Sequence, residues 1–267
     1  MMMTRIFAAA LAAVGLSATA ALAVEGDAHA PENYAWEFEG PFGTFDRNAV
    51  QRGYQVYQEV CSSCHSMNLM RFRNLGQKGG PFESGEYPNP NDNPIVMQIA
   101  AGYQVEDGPN DDGDMFMRDG LPSDAFPAPF ENEQQARASN GGAYPPDLSL
   151  IVKARSGGAD YIRSLLLGYE EAPEDAHLSP GQHYNAYFAG GAIAMAPPLV
   201  DDIISYDDGT TASMEQMAED VVTFLTWAGD PHMEARKQMG VMVLMYLFIF
   251  AVLVYLAYRQ VWRNVKH

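Results

Sequence analysis

Apolar side chains recur every three to four residues at Val50, Tyr54, Tyr57 and Val60/Cys61, a spacing that gathers them on one face of a helix. Asp46 precedes this stretch, where its carboxylate can accept from the free backbone N–H groups of the first turn. A second helical pattern runs over residues 159–167. A third begins at Ser213, which makes a capping box with Gln216, and continues through Met217, Val221, Phe224, Leu225 and Ala228 until Gly229 and Pro231 stop it. Residues 79–94 and 120–146 are rich in proline and glycine and show no period. Loops of that length need something to order them. The pattern predicts a mainly α domain with long ordered loops and no internal repeat.

Both ends of the chain read differently. Residues 239–258 (MGVMVLMYLFIFAVLVYLAY) carry no charge, and at about 1.5 Å per residue they match a hydrocarbon layer roughly 30 Å thick. That predicts one C-terminal transmembrane helix. Arg259, Arg263 and Lys266 follow it and assign the short tail to the cytoplasmic side, although Arg236 and Lys237 before the span oppose that bias. Residues 1–23 hold one charge, Arg5, then an Ala/Leu-rich run ending in Ala21-Leu22-Ala23, the pattern of a secretory signal peptide. The organisation is therefore a signal peptide (1–23), an exported domain (24–232), and an anchor with a short tail (233–267). The short leader, without an Arg-rich transit character, points to a bacterial inner membrane with the domain in the periplasm.

Charge changes the picture next. The 16 Lys and Arg face 34 Asp and Glu. Four of the cations lie in the leader or the tail and none of the acids do, so the part between them carries 12 cations against 34 acids. The acids cluster at residues 106–114 (EDGPNDDGD), 170–175 (EEAPED) and 201–208 (DDIISYDD). Such a surface excludes nucleic acid as a partner, keeps the domain soluble, and suits the steering of a basic protein. A calcium loop at 107–114 is disfavoured, because its glycine is misplaced and Pro109 interrupts the pattern.

The candidate chemistry sits at the end of the first helix. The chain has two cysteines, and both fall in Cys61-Ser62-Ser63-Cys64-His65. C-x-x-C-H is the attachment sequence of c-type haem. One helical turn apart, the two thiols can add to the two vinyl groups on one porphyrin edge, and His65 comes to lie beneath the ring as the proximal ligand. A zinc site would need a second pair of soft ligands, and a thioredoxin-like dithiol would follow a strand. The cofactor implied is one covalent haem c per chain, which then serves as the staple of an exported domain that has no cysteine left for a disulfide.

A sixth ligand separates electron transfer from ligand chemistry. Met195 stands in Gly190-Gly191-Ala192-Ile193-Ala194-Met195-Ala196-Pro197-Pro198, where small residues allow close approach to a ring and two prolines stiffen the loop. Met214 and Met217 fit core packing, those from Met239 onward belong to the apolar span, and Met115 and Met117 are the runners-up. His/Met ligation raises the potential and saturates the iron, so the inferred job is outer-sphere electron transfer. His177, His183 and His232 show no metal spacing and read as surface residues.

The chain resembles the cytochrome c1 family, the haem subunits of ubiquinol–cytochrome c oxidoreductase (cytochrome bc1) complexes. The resemblance rests on Arg52-Gly53-Tyr54-Gln55-Val56-Tyr57 leading into the haem pentad, and on Gly113-Asp114-Met115-Phe116-Met117-Arg118. It continues through Pro145-Pro146-Asp147-Leu148-Ser149, Ala154-Arg155, Gly157-Gly158-Ala159-Asp160-Tyr161 and Ile193-Ala194-Met195-Ala196-Pro197-Pro198. It implies a class I c-type cytochrome domain on a single C-terminal anchor. It further implies haem propionate contacts from Arg155 and Tyr161, and from Asn140 just before the Pro-Pro-Asp-Leu block. Implied partners are cytochrome b and the Rieske iron–sulfur protein, with a basic or otherwise complementary c-type cytochrome as acceptor, in a dimeric complex. The chain would move one electron and nominate no acid–base or nucleophilic residue, the enzyme being the whole complex. Some bacterial members carry an additional cysteine pair in the exported domain; this chain does not. A free-standing membrane-anchored c-type cytochrome and an open-site haem protein are the alternatives.

Overall fold

A computed structural model describes residues 28–174 and 176–264. The signal peptide predicted over residues 1–23 and Lys266 of the tail lie outside the described residues. Helix α1 (Arg47–Val56) begins where Asp46 accepts from the Asn48 N–H. It passes without a break into a π-turn over Tyr57–Cys61, closed by Ser62 N–H donating to Tyr57 C=O at 2.8 Å. Two short helices follow, α2 (Phe72–Gly76) and α3 (Pro94–Ala101). The second has Pro94 in its first turn, where its missing N–H costs nothing, and Asn93 as cap.

Strands β1 (Gln104–Asp107) and β2 (Phe116–Asp119) pair antiparallel, Gln104 opposite Asp119, and present residues 108–115 at their tip. Helices α4 (Glu133–Ser139), α5 (Ile151–Ala154) and α6 (Gly158–Leu167) come next. A two-residue hairpin, β3 (His183–Tyr184) with β4 (Ala192–Ile193), precedes the two long helices, α7 (Met214–Gly229) and α8 (Met233–Trp262). The mainly α prediction holds, as do the three periodic helices. The long irregular stretches are less bare than their composition suggests: a 3-10 turn (Pro90–Asp92) lies in the first, and α4 in the second, begun by Asn132 and reinforced by the Glu133–Arg137 pair.

The core forms where α1 crosses α7. Ser213 accepts from the Gln216 N–H and starts α7, whose apolar residues are buried nearly all round: Met217, Ala218, Val221, Val222, Phe224, Leu225 and Trp227. A helix buried on every side is the centre of a domain rather than its flank. Phe224 meets Tyr54 and Tyr57 of the first helical run at ring-centroid distances of 5.7 and 5.8 Å, and Phe126 joins Tyr57 to Phe72. The Trp227 indole N–H donates to the Gly79 carbonyl at 2.8 Å, which fixes part of the first long loop to α7.

Close approach at the crossing depends on Gly53. A Cβ built there would lie 2.0 Å from the Asp220 carbonyl oxygen and 2.6 Å from its carbon, and these are backbone atoms that no rotamer change can move. Gly53→Ala is therefore expected to pry the two helices apart, at a cost of at least about 1–3 kcal/mol. An unchanged unfolding temperature would show that the crossing can widen freely.

Helix α8 follows α7 after a three-residue link and is docked to the domain through its first five residues. Glu234 accepts from Phe45 N–H at 2.8 Å and from Arg47 at 2.6 Å. Lys237 donates to the carbonyls of Phe38 at 2.6 Å and Gly43 at 3.1 Å, and Arg236 pairs with Asp230 at 2.6 Å. Arg236 and Lys237, which counted against the inferred topology, are thus part of the joint. Beyond them the helix runs free of the domain. Among the described residues α8 is the one helix long and apolar enough to cross a membrane, its 30 residues extending about 45 Å, and the predicted span 239–258 lies inside it.

Candidate haem site

The π-turn ends on Cys61, and the chain then leaves the helix in a tight turn: Cys64 N–H and His65 N–H both donate to the Cys61 carbonyl, at 3.1 and 2.9 Å. Regular α-helix therefore stops at Val56, and a tight turn rather than a turn of α-helix separates the two cysteines. The turn still brings the two cysteines to one end of one element. Neither is in a disulfide; Cys64 is exposed and Cys61 half-buried. Burial, with a smaller contribution from the Cys64 thiol, pushes the Cys61 thiol up to about 12.

His65 is oriented by a segment some eighty residues away. Its Nδ1 lies 2.8 Å from the Pro146 carbonyl, which can only accept, so Nδ1 carries the proton and Nε2 keeps its lone pair. Burial lowers the pKa of the imidazole, while the Pro146 carbonyl and Asp147 act in the opposite sense. The ring is held neutral with one nitrogen directed and the other available, as an axial ligand must be.

That segment is itself strapped to the pentad. One oxygen of Asp147 accepts from Ser66 Oγ at 2.9 Å and from Asn68 N–H at 2.8 Å, and the other accepts from Ser149 N–H at 2.8 Å. Leu148 N–H donates to Ser66 C=O at 2.8 Å, and the buried Ser149 hydroxyl accepts from Leu69 N–H at 3.1 Å. Burial raises the Asp147 pKa, but the donors from Asn68, Ser149 and Ser66 more than offset this and hold it below the ordinary carboxylate range. Beside the strap, Cys64, Ser66, Tyr144 and Pro145 line a cavity of about 210 Å³ with residues 128–133 and Ala136. Asp147 and Pro146 were visible in the sequence only as part of a family block. The Asp-Leu-Ser order is a local turn signal, but nothing local shows that it closes on His65.

Met195 follows β4, half-buried, with Ile193 before it and Leu199 after it both in the core. Its carbonyl accepts from the Tyr169 hydroxyl at 3.0 Å. Tyr169 and Pro197 line a second cavity of about 430 Å³ with Tyr184, His183 and Glu170. The candidates for propionate contact are spread over three elements. Arg155 is exposed at the end of α5, where its guanidinium donates to the Ala154 carbonyl at 3.3 Å. Tyr161 is partly buried against the core from the first turn of α6. Asn140 ends α4, and its amide donates to the Ala136 carbonyl at 2.7 Å, so one of its donors is engaged by its own helix.

The residues present fit a covalent haem: two free thiols beside one helix end, and an imidazole with Nδ1 committed to the Pro146 carbonyl and the Nε2 lone pair left over. Taken with a second long helix crossing the helix that bears them, they define a class I c-type cytochrome. The family model described as "Cytochrome C1 family" matches residues 36–265. The chain belongs to the cytochrome c1 family.

Among its relatives, "Cytochrome c1" of Rhodospirillum rubrum is 41% identical over 287 residues, covering 99% of this chain and 100% of that protein. "Cytochrome c1, heme protein, mitochondrial" of Saccharomyces cerevisiae is 47% identical over 246 residues, which is 91% of this chain and 76% of the yeast protein. "Cytochrome b/c1" of Bradyrhizobium diazoefficiens is 48% identical over 266 residues, which is 91% of this chain but 37% of that longer protein.

Proposed function

We propose that this chain is the haem subunit of a ubiquinol–cytochrome c oxidoreductase, taking one electron from a Rieske-type iron–sulfur protein and passing it to a c-type cytochrome. The observation that carries the reading is the directed His65, with Nδ1 committed to the Pro146 carbonyl beside two free thiols. When bound, a haem c supplies a one-electron iron couple that needs no proton transfer or bond rearrangement at the protein. Cys61 and Cys64 attach it as thioethers, His65 and Met195 ligate the iron, and Arg155, Tyr161 and Asn140 contact its propionates. Asp147 keeps the His65 turn closed. Helix α8 holds the domain on the periplasmic face of a bacterial inner membrane, after removal of residues 1–23.

A cytochrome b partner is supported by the Bradyrhizobium relative, whose name joins cytochromes b and c1 in one protein. The test is purification of the full chain from its own membranes in mild detergent, followed by an equilibrium redox titration of the optical spectrum. A high-potential c-type haem that copurifies with b-type haem and an iron–sulfur protein is expected. A c-type haem alone would favour a free-standing carrier, and uptake of carbon monoxide by the native reduced protein would favour an open site.

The acidic clusters bear on the acceptor. Residues 108–115 project at the tip of the β1–β2 hairpin, which Arg118 braces by pairing with Asp107 and Asp124. Asp111, Asp112 and Asp114 at that tip are all exposed. If this face steers a basic acceptor, the bimolecular rate of acceptor reduction falls steeply as ionic strength rises and the Debye length shrinks below about 10 Å. Stopped-flow rates that stay flat between low and high salt would remove steering from the account.

A further inference from the structure

We propose that Tyr169 is the positioning residue of the sixth ligand: its hydroxyl, bonded to the Met195 carbonyl, fixes the loop that presents the thioether. The proposal rests on the reading that Met195 ligates the iron, and deepens it.

The loop has little else to hold it. Among the described residues, no other hydrogen bond reaches residues 194–198. Ile193 and Leu199 anchor the two ends in the core, and Pro197 and Pro198 stiffen the side after the methionine. On the side before it, Ala194 is exposed, and the tyrosine hydroxyl supplies the restraint. Thioether–iron bonds are weak, and a loop that can drift lets the sulfur leave.

Tyr169 is itself held firmly. It pairs with Asn185 in an antiparallel bridge, and Asn185 is fully buried. The Asn185 amide donates to the Leu165 carbonyl of α6 at 2.7 Å, its oxygen accepts from Tyr187 N–H at 3.1 Å, and its own N–H donates to Gly191 C=O at 2.9 Å. Gly191, at φ +71°, lies so close to Tyr184 that a Cβ there would be 2.9 Å from the ring. Helix α6, the β3–β4 hairpin and Tyr169 thus form one frame, and the hydroxyl is the point at which that frame grips the methionine loop.

A net contribution of about 1 kcal/mol for such a bond corresponds to roughly a fivefold shift between ligated and unligated Met195. The experiment uses the full-length holoprotein in detergent and compares wild type with Tyr169→Phe, Met195→Leu and Tyr187→Phe. The Tyr187 hydroxyl donates to Glu32 at 3.2 Å in the same neighbourhood without touching Met195, so it is the control for a merely structural loss. The readouts are the far-red charge-transfer band of sulfur-ligated ferric haem, carbon monoxide uptake by the ferrous form, and retention of haem under denaturing conditions.

Tyr169→Phe is expected to raise the carbon monoxide-binding fraction about fivefold and to lose the band at a lower temperature, with haem still attached. Tyr187→Phe should match wild type. If Tyr169→Phe behaves as wild type while Met195→Leu loses the band, the positioning role falls and the ligand stands. If Met195→Leu keeps the band, the ligand assignment falls and the proposal with it. Should Tyr169→Phe not accumulate, 3-fluorotyrosine encoded at position 169 supplies a stronger donor of nearly the same shape. It is expected to raise the temperature at which the band is lost, and no change would overturn the proposal.

Discussion

Met195→Leu is expected to lower the haem reduction potential by on the order of 0.1 V or more, within the roughly 0.8 V range over which axial ligands tune haem proteins. A thioether stabilises ferrous iron relative to ferric, and leucine offers no donor, so water or an exogenous ligand takes the vacated position. The side chains are close in volume, and Ile193 and Leu199 remain to hold the loop ends in the core, so the fold is expected to survive. Haem should remain attached, because Cys61 and Cys64 lie on a different element. The check is a potentiometric titration together with a denaturing gel stained for haem. An unchanged potential would take Met195 off the iron.

The second large effect is on stability and lies at the α1–α7 crossing. Asp220 is 1% exposed and receives two bonds from the Arg52 guanidinium, at 2.8 and 2.9 Å, and one from Gln216 at 3.1 Å. Arg52 also reaches Asp208 at 3.1 Å. Arg52→Met leaves the Asp220 charge buried without its cation, which costs about 3–5 kcal/mol. For a chain of this size that lowers the unfolding temperature by about 6–20 °C.

The pH dependence has a definite sign. Burial already raises the Asp220 pKa, with Arg52 the main group opposing it, so the variant's folded pKa lies further above the unfolded value. An acid raised in this way destabilises the fold above its unfolded pKa, and the penalty disappears as pH falls towards it. The deficit against wild type should therefore narrow as pH is lowered towards about 4. Replacing both partners with apolar residues, as in Arg52→Met with Asp220→Leu, should recover most of the loss. Thermal unfolding of the holoprotein followed by far-ultraviolet circular dichroism tests all three. A single variant as stable as wild type would show that water reaches Asp220.

What could be read from the sequence was whatever is encoded locally. Asp46 and Ser213 start their helices through side chains two or three residues from their partners, and the apolar spacing of α1 and α7 is visible within a dozen residues. The Cys61–His65 pentad is legible for the same reason, since its chemistry is written in five consecutive positions. The hairpins were missed because their strands are two to four residues long, and β1 and β2 are largely polar, so pairing rather than propensity creates them. Helix α4 is short, and only Ala136 is buried, which leaves no apolar period to find; its Asn132 cap and Glu133–Arg137 pair were the available signs.

The partners of the site were the least legible part. The Pro146 carbonyl that directs His65 and the Tyr169 hydroxyl that meets Met195 are separated from their targets by 81 and 26 residues. A backbone carbonyl carries no side-chain signature, and a tyrosine beside a glycine reads as ordinary packing. The π-turn before Cys61 is likewise invisible to a pattern of 3.6, although such turns concentrate at functional sites.

The joint at the foot of the domain bears on how electrons would be carried to and from this subunit. With Glu234 and Lys237 bonded on one side and Arg236 on another, the domain and its stalk cannot pivot against each other without breaking several charged contacts together. The distance from the Cys61–His65 turn to the apolar part of α8 is then a fixed dimension, as in a mast stepped into a deck. On the proposed electron path, movement would fall to the carriers on either side rather than to any swing of this chain.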